Sequence, residues 1–208
     1  MGKIIVSGPG CSGTTYMVGL LGKLGEETGF DALSVEKGLE WRYHQLHLDA
    51  KKKGYHDQSP RVIKYPFHTP NHKTGELHRP IHLFRDADLL NWKIDHVVFM
   101  LRSREGMEES RYNRTLSAAS NNPHRVVQHK PGLYEYVMEE FYAHLEGIEE
   151  RQWSYTICWF PRIALDEDYA WDTLNRQLVG SRKPVVASEK AFKKIWSAHS
   201  RADRVHGR

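Results

Sequence analysis

Near the start of the chain an apolar β-branched run, Ile4-Ile5-Val6, breaks into Gly8-Pro9-Gly10 and passes into a segment with Met17, Leu20, Leu21 and Leu24 at helical spacing. A strand that turns on glycines straight into a helix is the unit from which α/β folds with a parallel sheet are built, and it constrains the rest of the chain accordingly. The same turn has chemical meaning. The first amides of a helix lack intrahelical acceptors and lie at the positive end of its dipole, so an anion is held there without a charged side chain. Glycines let the backbone approach that anion, and Ser12, Thr14 and Thr15 add hydroxyl donors.

Gly8 and Gly13 keep the spacing of the G-x-x-x-x-G-K-[ST] loop of nucleoside triphosphatases, but Thr14 stands where that loop has its lysine. A donor less charged than ATP needs neither that lysine nor the metal it works with. The stretch Ser12-Gly13-Thr14-Thr15-Tyr16 resembles the 5′-phosphosulfate loop of the sulfotransferase family, which binds 3′-phosphoadenosine 5′-phosphosulfate, PAPS.

A chain of 208 residues is expected to form one domain, residues 1–208, large enough for a sheet covered on both faces. It has no continuous apolar run of membrane-spanning length, and it enters its first strand at once, which predicts a cytoplasmic protein. Cys11 and Cys158 are too few and too far apart for a disulfide framework or a zinc site. The net charge of +4 is uneven, because residues 181–208 hold eight Lys/Arg against Glu189 and Asp203. That basic segment fits a solvated helix face better than a dedicated anion site.

Along the chain, Asp31 to Val35 reads as a second strand followed by Glu36, and about Gly38 to Lys53 as a helix. His44 and His47 on that helix lack a third nearby metal ligand. Arg61 to Tyr65 reads as a strand ended by Pro66, and Phe67 to Pro80 as a long loop carrying His68, a natural lid for an acceptor. Ile81 to Phe84 is expected as a short strand, with a helical turn starting at Asp86. His96 to Leu101 is the most strongly buried-looking run, a central parallel strand ending at Arg102. Leu133, Val137, Phe141, Leu145 and Ile148 mark one face of an acidic helix, and Ser154 to Trp159 reads as a further strand. Asp166-Glu167-Asp168 suit a helix N-terminus, and a last helix spans about Ser188 to His199. The expected fold is a three-layer α/β/α sandwich with a largely parallel central sheet. Ligands of such sheets bind beyond the carboxyl ends of the strands, which gathers the first turn, Glu36, Lys64 with the loop to His68, and Arg102 along one edge.

The resemblance extends to a second place. In the sulfotransferase family a central strand delivers an arginine, and a serine eight positions later joins it on the 3′-phosphate of PAPS; Arg102 and Ser110 have that spacing. A guanidinium fork and a directed hydroxyl suit a phosphate. The resemblance further implies that Gly10, Cys11, Ser12, Gly13, Thr14 and Thr15 hold the 5′-phosphosulfate and that Tyr16, where the family commonly has tryptophan, stacks on adenine. It also implies that Arg182 and Lys183 meet the 3′-phosphate, although Pro184 replaces the family's glycine. Cys11 departs from the pattern, since the family carries lysine or arginine there to steady the leaving phosphate. Lys64, on a neighbouring strand, is the expected replacement, and His68 or Glu36 the expected base, with His68 slightly preferred. The implied activity is sulfuryl transfer from PAPS to a hydroxyl or amine of a small-molecule or glycan acceptor, releasing adenosine 3′,5′-bisphosphate, with no metal expected. The aromatic residues around Trp41 and Trp92 are candidates for contact with a ring or sugar of that acceptor. Two alternatives are a P-loop phosphotransferase using a nucleoside triphosphate, and a non-catalytic nucleotide-binding protein whose basic tail touches nucleic acid.

Overall fold

The computed structural model describes residues 2–28, 60–67, 79–110, 133–178 and 188–200. Within them four strands, β1 (Lys3–Pro9), β2 (Val62–Phe67), β3 (Ile94–Arg102) and β4 (Tyr155–Phe160), pair in parallel in the order β2-β1-β3-β4. The helices are α1 (Thr14–Lys23), α2 (Pro80–Leu89), α3 (residues 104–110), α4 (Leu133–Glu150), α5 (Arg162–Leu165), α6 (Glu167–Leu178) and α7 (Glu189–His199). Strands alternating with helices therefore build an α/β fold around a parallel sheet. The predicted strand at residues 31–35 and the helix of His44 and His47 lie outside the described residues.

The alternation of β1 divides the apolar residues into two clusters. Ile4 and Val6 pack with Met17, Val18, Leu20 and Leu21 of α1, and with Leu174 and Phe192 of α6 and α7. Ile5 joins Ile63, Tyr65, Val97 and Phe99 of the other strands with Leu83 and Phe84 of α2 and Val137, Phe141 and Ile148 of α4. Each of the four α1 residues in the first cluster is fully buried, a stabilisation of roughly 1.5–3 kcal/mol per side chain. That burial fixes α1 against the sheet, and with it the turn at its head. No helix among the described residues is long and apolar enough to cross a membrane.

Two expectations are corrected. Ile81–Phe84 is not a strand but the first turn of α2, because Leu83, Phe84 and Ala87 are buried at helical spacing while Ile81 is exposed. Pro80 sits at the first helical position, where a missing N–H costs nothing, so the helix begins six residues before Asp86. Asp86 instead lies buried within α2 and accepts a hydrogen bond from the Tyr65 hydroxyl at 2.8 Å. Pro66 does not end its strand either. β2 runs on to Phe67, with Pro66 opposite Gly8 of β1 and β2 at the sheet edge among the described strands, where a proline is tolerated.

Candidate anion-binding site

From β1 the chain goes to β2 on one side of it and then to β3 on the other, so the order of the sheet switches between β1 and β3. The crevice beyond the carboxyl ends of such a pair is where α/β sheets bind ligands. The glycine turn leaves β1 there, and Arg102 ends β3 beside it.

The turn takes three residues through positive φ: Gly8 at 144°, Cys11 at 74° and Gly13 at 94°. A Cβ on Gly8 would come within 2.3 Å of the Met100 carbonyl oxygen and 2.7 Å of Ser12 Oγ, so the strand ends against β3 with no room for a side chain. Gly13 is the N-cap of α1 and no side chain caps the helix. The first intrahelical bond is donated by the Met17 amide to the Gly13 carbonyl at 3.1 Å, which leaves the amides ahead of it outside the ladder. Ser12 is fully buried and its hydroxyl has no hydrogen-bond partner. A buried hydroxyl without a partner costs roughly 1–3 kcal/mol.

Two cations approach from neighbouring strands. Lys64 of β2 lies opposite Val6 and is only 6% exposed. Its Nζ donates to Thr15 Oγ1 at 2.6 Å, in the first turn of α1. The sheet thus delivers an ammonium to the head of the helix whose own turn has no lysine. On the other side the Arg102 guanidinium carbon lies 5.3 Å from the centroid of the Phe160 ring, and its Nε is buried without a partner. The site therefore joins helix amides without intrahelical acceptors, a buried hydroxyl, an ammonium and a guanidinium. Anions are what such a set can stabilise.

Gly10, Cys11, Ser12, Gly13, Thr14 and Thr15 form one continuous turn at the head of α1, with Lys64 reaching it through Thr15. Cys11 is half-buried with a free thiol. Ser110 is half-buried in α3, the helix that follows Arg102, and no described contact links the two. Tyr16 has the contacts of a packed aromatic: its ring lies 5.8 Å from Phe160 and 4.8 Å from His199 between centroids, and its hydroxyl is hydrogen-bonded to Ser200. Burial pushes its phenol up to about 12. Trp92 is buried in the core near the amino end of β3, remote from the carboxyl edge. Glu36, His68, Arg182, Lys183 and Trp41 lie outside the described residues.

Among the described residues, Asp166 and Lys193 have structural partners. Asp166 accepts from the Tyr169 amide at 2.9 Å at the head of α6, the capping role its sequence position predicts, and this bond holds its carboxyl below the usual range. Lys193, from the basic C-terminal segment, pairs with Asp168 at 2.7 Å and Glu189 at 2.9 Å. Sequence reasoning missed Phe160, whose ring fills the space beside Gly13. No motif marks it, since only the pairing of β4 with β3 brings it to Arg102. Comparison with family models, curated proteins and solved structures gives no match for this chain.

Proposed function

We propose that this protein is a PAPS-dependent sulfotransferase of P-loop type, a three-layer α/β/α domain whose glycine turn takes the 5′-phosphosulfate. The reading is carried by one observation, the Lys64 ammonium bonded to Thr15 at the head of α1. The family resemblance calls for a cation at the leaving phosphate, and Cys11 leaves that place uncharged. Lys64 supplies it from the adjacent strand. In this reading the amides of residues 13–15 and the Ser12 hydroxyl hold the phosphosulfate, the Ser12 amide donating instead to the Pro9 carbonyl at 3.1 Å, while Arg102 and Ser110 take the 3′-phosphate. The acceptor oxygen or nitrogen attacks sulfur in line, the bond from sulfur to the 5′-phosphate oxygen breaks, and Lys64 neutralises the charge that develops there. The acceptor's proton passes to His68 or Glu36.

The test is transfer of labelled sulfate from PAPS to a panel of glycans, phenols and lipids, together with binding of adenosine 3′,5′-bisphosphate in the presence of a chelator. Binding without magnesium and label on an acceptor are expected. Tight magnesium-dependent ATP binding, with no affinity for the bisphosphate, would replace this reading with the phosphotransferase one.

A further inference from the structure

Phe160, the last residue of β4, belongs to neither sequence motif, yet its ring borders two parts of the anion site, the turn at Gly13 and the Arg102 guanidinium. A Cβ on Gly13, the N-cap of α1, would lie 2.6 Å from two of its ring carbons, so the ring closes off one side of the turn. Arg102, its partner across the β3–β4 pair, sets its guanidinium 5.3 Å from the ring centroid. Tyr16 packs beside it at 5.8 Å, and the ring is only 8% exposed.

The way Arg102 is held matters. Among the described residues its guanidinium has no carboxylate and no hydrogen-bond acceptor; it rests over the ring, with its Nε near Gly106, where a Cβ would come within 2.6 Å. An arginine fixed by a carboxylate spends its N–H donors on that partner, and an incoming phosphate must compete for them. A ring attracts the cation through its π face and takes none of the in-plane donors. Arg102 is thereby held in place with its donor edge uncommitted.

We infer that Phe160 is a positioning residue of the anion site, orienting Arg102 for a phosphate and fixing its distance from the turn at Gly13. The inference deepens the nucleotide reading above, since it names what sets the separation between two phosphate-binding parts. It needs only that the site binds an anion.

The experiment is a double-mutant cycle on the full chain with Phe160→Leu, Phe160→Tyr, Arg102→Ala and the Phe160→Leu/Arg102→Ala pair. Binding of adenosine 3′,5′-bisphosphate, inorganic pyrophosphate and inorganic sulfate is measured by calorimetry, and folding of every variant is checked by circular dichroism. Loss of a half-buried cation–π contact predicts that Phe160→Leu weakens bisphosphate binding up to about tenfold, and that Phe160→Tyr, which keeps the ring, stays within about threefold. In the Arg102→Ala background Phe160→Leu should cost nothing further, because the ring acts through the arginine. A merely structural role would instead cost the same in both backgrounds, and that result, or unchanged binding by Phe160→Leu, overturns the inference. Should Phe160→Leu not fold, Phe160→Tyr is compared with Phe160→Met, and equal binding by those two overturns it. A wild-type chain that binds pyrophosphate or sulfate but not the bisphosphate removes the proposed function and leaves the cycle to be read with those anions. Failure to bind any of the three overturns both.

Discussion

His144 on α4 is fully buried, and neither ring nitrogen has a hydrogen-bond partner. Its neighbours are the rings of Phe99, Phe84 and Phe67, at centroid distances of 4.8, 5.5 and 5.7 Å. Burial among them pushes its pKa down from 6.5 to about 3. The sign of the consequence is fixed. Above pH 6.5 the imidazole is neutral in both folded and unfolded chains, and its contribution to pH dependence is nil. As pH falls below that value the unfolded chain takes up a proton that the folded chain refuses, so stability falls until about pH 3. Between about pH 7 and about pH 5 the loss from this one group is about 2 kcal/mol, from 1.36 kcal/mol per pKa unit of differential protonation. His96, bonded to Thr156 at 2.8 Å and lowered to about 4 by burial, adds a similar amount.

Replacing His144 by Leu or Phe removes its share. Urea unfolding followed by circular dichroism should give variants whose loss from about pH 7 to about pH 5 is smaller than the wild type's by about 2 kcal/mol, or roughly 1 M in urea midpoint. At neutral pH the variants should hold or gain stability, since removing a buried group with unmet hydrogen bonds offsets imperfect packing. An equal pH-dependent loss in wild type and both variants would refute the buried, neutral imidazole. Two variants are needed because Phe is larger than His, and the box around it is tight.

Other outcomes follow from the same structure. Lys64→Met should weaken anion binding at least about tenfold while the variant remains folded by circular dichroism, because the ammonium at the head of α1 is exchanged for an apolar chain of similar length. A variant that binds the bisphosphate as tightly as wild type sinks the role given to Lys64. Gly13→Ala should cost about 3 kcal/mol or more in urea unfolding, the sum of backbone strain at φ 94° and a clash with Phe160, and a loss under about 1 kcal/mol would contradict the packing described. Tyr16, raised from 10.0 to about 12, contributes stability that is complete below pH 10 and is lost as pH rises towards 12. Tyr16→Phe should flatten that alkaline loss, and ultraviolet titration should show one late-ionising tyrosine fewer in the variant than in the wild type.

Much of the site was legible in the order of the residues. The turn from Gly8 to Gly13, the strand ending at Arg102 and the capping carboxylate of Asp166 are local patterns, set by φ preferences, β-branched runs and helix-end chemistry. The misread stretch at Ile81–Phe84 shows the limit of that kind of reading. Three apolar residues and a histidine between Pro80 and Arg85 fit a strand or a helix turn equally, and which face finds a core decides. His144 escaped notice for a related reason, since a histidine among glutamates looks solvated until the helix is rolled onto the sheet and the ring lands between Phe84 and Phe99.

The sequence by itself determined that a helix whose first amides lack intrahelical acceptors would follow a strand, and that no lysine would stand within the turn. Only the tertiary structure decided that Lys64, 49 residues beyond Thr15, meets that helix, and that Phe160 lies under Arg102. Parallel strands pair residues far apart in the chain, and a period of two sends alternate side chains to opposite faces. Which cation faces which turn is therefore a matter of strand order and register, and neither is written in any single stretch of residues.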